Sequence, residues 1–189
     1  TIVAPGDGNS QYSSDNDIQS ADSDGDLSTN NNGYTGMHGT SMACPIAAGS
    51  ATLIREYFVD GHYPGGTISS PSAALIKSVL VNGAVEISGD GAYTNDNSFP
   101  NNDQGWGRVN LENALEFSGD SRSLKVVDET NGISTGTTKT YTVNVADTSE
   151  PLEVTMAYTD YPGSTSASKA LVNDLNLKVT APDGSVYKG

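Results

Sequence analysis

A chain of 189 residues can bury one substantial core or two modest ones. Its net charge of −14 and pI near 4.1 argue against nucleic-acid or anionic-membrane binding, which need a basic face. With one cysteine there is no internal disulfide to read a redox compartment from, and no apolar run approaches the roughly 18 residues of a membrane span. No stretch reads as a signal peptide. The chain opens inside what reads as a strand, Thr1-Ile2-Val3, so a targeting address is expected upstream.

After Pro5-Gly6 a polar stretch, Asp7 to Asn32, lacks hydrophobic periodicity and reads as a surface excursion. Within it Asp22-Ser23-Asp24-Gly25-Asp26 alternates carboxylates as a calcium loop does. The EF-hand pattern nevertheless fails, because Leu27 stands where the turn needs Gly and Gly33 where the last ligand should be Glu. The reading is a solvated acidic loop.

Gly36 to Gly39 then form a small, bendable approach to Ser41, and a run of small and apolar residues continues to Phe58. Pro45 suits a first helical turn, and Ile46, Gly49/Ser50, Leu53 and Tyr57 recur at helical spacing. This places Ser41 at or just before the N-terminus of a buried helix, kept thin by Ala43, Ala47, Ala48 and Gly49. Free N–H groups and the positive end of the dipole gather there, the environment that a nucleophile generating an oxyanion needs. Cys44, one helical turn further on, reads as a buried structural thiol. An isolated serine at such a place would read as a helix N-cap.

The helix should end near Gly61. Pro64-Gly65-Gly66 makes a turn, and Ser70-Pro71 reads as a cap plus first-turn proline of a second helix running through Val81. Its apolar stripe is Ala74, Leu75, Val79 and Leu80, and Asn82-Gly83 stops it. Ile87 to Pro100 is again loop-like. Asn110 can cap a short helix from Leu111 to Phe117, and Trp106 reads as a packing residue. From about Ser118 the grammar changes to period two, in Tyr141–Val145, Leu152–Tyr158 and Leu175–Thr180, with Asp183-Gly184 offering a hairpin turn. Such strands predict an antiparallel sandwich or jelly roll, here incomplete and open-edged.

The run Gly39-Thr40-Ser41-Met42-Ala43-Cys44-Pro45-Ile46-Ala47-Ala48-Gly49 resembles the nucleophile motif of subtilisin-like serine proteases. Thr1 to Gly6 resembles the strand and turn that precede this motif, and Gln104 to Asn110 the segment closing the catalytic domain. Ile46 departs from the commonest family pattern at a packing position. Tyr158–Gly163, Leu171–Leu177 and Ala181–Gly184 resemble the C-terminal β-domain of a subset of alkaline bacterial subtilases. The resemblance implies an α/β fold, the C-terminal part of a subtilisin-like domain over residues 1–118, followed by a partial β-sandwich over 119–189.

It further implies a secreted endopeptidase acting on proteins or peptides, with Ser41 as attacking residue and its own N–H in the oxyanion hole. Thr40 is then a secondary polar contact, and Met42 lies close to the centre. The resemblance also raises structural calcium at Asp160 and Asp174, although Asn176 stands where relatives tend to have a second Asp. The triad Asp, the triad His and the oxyanion Asn precede this region in the family, so the chain is expected to be an internal piece, inactive alone and partnered by the missing N-terminal part. Neither of the two histidines fits the base: His38 reads as a loop residue, and His62 lies roughly 25–30 Å from Ser41 along the helix. A non-catalytic relative and a surface-binding β-module are the alternatives.

Overall fold

The computed structural model describes residues 1–6, 18–21, 34–88 and 99–189. Its elements, in order, are β1 (Ile18–Ala21), β2 (Tyr34–Met37), α1 (Thr40–Val59), α2 (Ala73–Asn82), α3 (Leu111–Ala114), β3 (Lys178–Thr180) and β4 (Val186–Lys188). The fold is a mixture of helices and strands, and the two sheets among the described residues are both two-stranded antiparallel pairs, β1–β2 and β3–β4.

The core sits where α1 ends. Ile54, Tyr57 and Phe58 meet Leu75 and Val79 of α2 and Ala114 and Leu115 at α3. The Phe58 ring is fully buried and meets Tyr57 edge-on at 5.2 Å and Tyr63 at 5.4 Å. The α1 face differs from the predicted one, because Ile54 and Phe58 point inward while Leu53 is half exposed. Nor is α1 buried throughout. Apolar area is concentrated in its last two turns, and the alanines and glycine of its first half offer too little surface to hold a neighbour.

Ser72, rather than Ser70, caps α2: its Oγ accepts from the Leu75 N–H at 3.0 Å. Gly83 ends the helix where space requires a glycine, since a Cβ there would lie 2.4 Å from the Ala114 Cα. Asn110 caps α3 as expected, its Oδ1 accepting from Glu112 N and Asn113 N, but the helix stops at Ala114 because Leu115 is already extended.

Residues 1–3 and 107–109 join the start of the chain to this body. Val3 N donates to Gly107 O, and Val109 N donates to Val3 O, both at 2.9 Å. On its other side Arg108 exchanges two backbone bonds with Val85. Gly107 has φ 96°, and a Cβ there would collide with the Val85 carbonyl. Trp106 is 44% exposed, so its expected packing role is not what holds this turn; its backbone N–H does, donating to Thr1 O. Nearly buried Gln104 clasps Ile87, accepting from its N–H at 2.7 Å and donating to its carbonyl at 3.4 Å.

The C-terminal half is attached by Leu124 and Val126, which pack against the core, and by polar contacts. The Tyr57 hydroxyl donates to Glu116 O at 2.6 Å, Ser72 N donates to Asp128 Oδ2 at 2.8 Å, and Asn82 Nδ2 donates to Thr155 Oγ1 at 3.0 Å. The hairpin predicted around Asp183-Gly184 forms, with β3 and β4 joined by a turn in which Gly184 N donates to Ala181 O and Gly184 takes φ 88°. Among the described residues Tyr141–Val145 and Leu152–Tyr158 form no ladder, so of the predicted sheet only the β3–β4 pair is seen. An Asx turn, Ser149 N to Asp147 Oδ1, and the donorless Pro151 separate the two stretches. Their alternating side chains, Tyr141, Val143 and Val145 among them, stand half exposed.

Candidate active site

Ser41 is the second residue of α1, exposed, in the first turn. The helix starts there because Gly39, with φ 131° and ψ −175°, turns the chain into it and accepts from Met42 N at 3.0 Å and Ala43 N at 3.1 Å. Gly39 N in turn donates to Gly6 O at 2.7 Å, which ties the Pro5-Gly6 turn to the helix start. A Cβ on Gly6 would sit 2.7 Å from the Gly39 carbonyl oxygen, so this approach tolerates no side chain.

Two consequences bear on chemistry. The amides of Thr40 and Ser41 have no intrahelical acceptor and carry the positive end of the helix dipole. Pro45 lies inside the helix, four residues after Ser41, rather than in its first turn as expected. It therefore removes the donor that would otherwise bond the Ser41 carbonyl. Deeper in the helix, Ser50 Oγ satisfies itself on Ile46 O at 2.9 Å.

An open cavity of about 390 Å³ runs beside Ser41. Its helix wall is Ser41, Met42, Pro45 and Ile46, and the opposite wall is Ile18, Gln19 and Ser20 of β1, with Met37 at the end of β2. Sequence reading missed this wall, having taken Ile18–Ala21 for part of the polar excursion. The signal was faint: Ile18 is a lone apolar residue, and its pairing with Met37 across the hairpin is a non-local event.

Cys44 is exposed, which corrects the expectation of a buried thiol. The reason is the open first half of α1, where nothing among the described residues covers that turn. Met42 is half-buried next to Ser41, and His38 is exposed in the link before α1. His62 lies past the far end of α1, its N–H donating to Tyr57 O, roughly 30 Å from Ser41 at 1.5 Å per residue.

The proposed calcium residues are not brought into a cluster. Asp160 holds backbone groups of 161, 172 and 173, and Asp174 is exposed. Among the described residues no three His, Cys, Asp or Glu side chains gather as a metal site would need. The acidic run Asp22 to Asp26 lies outside the described residues. Among the described residues no helix is long and apolar enough to cross a membrane.

The family profile described as the subtilase family (Peptidase S8) matches residues 1–107. Three curated proteins of Dictyostelium discoideum, each described as a serine protease/ABC transporter B family protein, are also similar. TagD is 30% identical over 95% of this chain and 12% of its own length, and tagA is 32% identical over 81% and 9%. TagB is 27% identical over 96% of this chain and 12% of its own. The chain thus spans about a tenth of the length of the curated relatives it matches. No solved structure matches it. The profile covers more than half of the chain, including the whole Ser41 turn, and the chain belongs to the subtilase family of serine proteases.

Proposed function

We propose that this chain carries the nucleophile of a serine endopeptidase, and that the nucleophile is Ser41. One observation carries the reading: an exposed hydroxyl in the first turn of α1, beside an open groove, where two backbone amides lack intrahelical acceptors. Ser41 Oγ attacks the carbonyl carbon of the scissile peptide bond while a general base takes its proton. The carbonyl oxygen becomes an oxyanion against the start of α1, with the Ser41 N–H as one donor and Thr40 as a secondary polar contact. Collapse expels the amine, which receives the proton, and leaves an ester on Ser41 that water then hydrolyses.

The base and its orienting carboxylate come from polypeptide beyond these residues. His62 is a helix length away, and the relatives are much longer than this chain. The 189 residues alone are therefore inactive. The substrate is a protein or peptide, and the working protein is secreted. The alternating stretches of residues 119–189 support a β-sandwich module.

Ser41→Ala in the full-length protein should lower kcat about a million-fold, because triad members act as a unit. Its melting temperature should stay near that of the wild type, since the hydroxyl is exposed and makes no core contact. An alanine variant with near-normal peptidase activity refutes the assignment and favours a non-catalytic role for this turn.

A further inference from the structure

The segment from Tyr158 to Asn173 leaves the body and returns to it, with an eleven-residue excursion, 161–171, between its two legs. The excursion is built of small and polar residues, and Tyr161 at its start is 74% exposed, so no apolar core holds it. Its legs nevertheless approach closely: a Cβ on Gly163 would lie 2.5 Å from the Ala170 carbonyl oxygen. An internal turn, Ala167 N to Ser164 O at 3.0 Å, shapes the tip.

The neck is closed by Asp160. Its Oδ1 accepts from Tyr161 N at 2.8 Å, Asn173 N at 3.0 Å and Asn173 Nδ2 at 2.8 Å. Its Oδ2 accepts from Val172 N at 2.8 Å. Tyr158 adds a bond from its hydroxyl to Asn173 O at 2.9 Å. A carboxylate offers about four lone-pair sites. Three of the four N–H groups crowd Oδ1 and the fourth holds Oδ2, and charge-assisted bonds of this kind are the stronger class.

Calcium would need the same oxygens, at 2.3–2.6 Å and in the company of several other oxygen ligands. Oδ1 of Asp160 is fully taken and Oδ2 already holds Val172, no second carboxylate stands among its bonding partners, and among the described residues no three His, Cys, Asp or Glu side chains gather there. The residues present do not fit the ion that the family resemblance suggested. We infer that Asp160 is a cation-free clasp: its carboxylate gathers the N–H groups of 161, 172 and 173 and closes the 161–171 excursion without calcium.

Amide hydrogen exchange at Val172 and Asn173 in the full-length protein tests this locally, whatever calcium does elsewhere in the molecule. Exchange at both amides should be unchanged by a chelator or by added calcium. Asp160→Asn keeps one acceptor, which its three donors claim, and turns an NH₂ toward the Val172 N–H. Exchange at Val172 should then rise about tenfold or more, and at Asn173 less. Asn173→Ala, a gentler variant that removes only the Nδ2 bond, should give a smaller rise at both amides. Chelator-induced exchange in the wild type that disappears in Asp160→Asn would make Asp160 a calcium ligand and overturn the inference. Unchanged exchange at Val172 in a folded Asp160→Asn protein would overturn it as well.

Discussion

Phe58 and Val143 are both apolar residues in segments whose periodicity predicts a buried face. Phe58 is fully buried in the helical core with two aromatic neighbours, Tyr57 and Tyr63, whereas Val143 is 45% exposed. The difference lies in how each pattern finds its partner. The end of α1 turns back through Tyr63 and Ile68 onto itself, Ile68 N donating to Phe58 O, and α2 follows directly, so the partner is close in sequence. A strand needs a second strand, and among the described residues Tyr141–Val145 has none hydrogen-bonded to it. The C-terminal half is instead shaped by carboxylates that accept backbone N–H groups: Asp147 from Ser149, Asp160 from Val172 and Asp183 from Ser185. The first half is held by burial, and the second, past Leu124 and Val126, chiefly by local polar clasps.

The largest test of that contrast is truncation. Phe58→Ala should cost about 3–5 kcal/mol, the usual range for emptying a packed aromatic site. Val143→Ala should stay within about 0.5 kcal/mol. Urea midpoints of the two variants measured side by side would collapse the comparison if they shifted equally.

A smaller, sharper test is pH, because the two halves titrate in opposite directions. Val172 N–H first, and then the Asn173 donors, hold Asp160 below the usual carboxylate range, and the Ser149 and Ser185 amides do the same for Asp147 and Asp183. A folded pKa depressed below the unfolded value contributes stability that is present above about pH 3.9 and lost as pH falls through the folded value. In the helical core, burial pushes the Tyr57 phenol above 10, its ordinary value, against the opposing bond to Glu116. A raised folded pKa contributes stability present below about pH 10 and lost as pH rises through the folded value. Residue-resolved amide exchange should therefore show acid opening residues 160–185 first and alkali loosening the Tyr57–Glu116 contact first. Both ends failing together would mean that the halves are not held differently.

What could be read from sequence follows the same division. Ser41 and its helix, the Asn110 cap and the Asp183-Gly184 turn are local signals, each carried by a few adjacent residues, and each is found where it was expected. The α2 cap was misplaced by two residues because both Ser70 and Ser72 precede a helix-compatible run, and only the bond from Leu75 N chooses between them. The groove wall at Ile18 and the Gln104 clasp on Ile87 depend on contacts across 17 or more residues, to which no local pattern points. Asp160 was legible as a strand-end carboxylate but not as a clasp, since sequence shows the acceptor and not which donors return to it.

The central claim, that Ser41 is a nucleophile activated by groups outside this segment, meets its most direct test in covalent labelling. A serine-directed fluorophosphonate should modify the full-length protein stoichiometrically, and peptide mass spectrometry should place the adduct on Ser41. The 189-residue chain alone should remain unlabelled if, as proposed, the base that activates Ser41 lies outside it. Labelling of the full-length protein at another residue, or stoichiometric labelling of Ser41 in the isolated chain, would contradict the account.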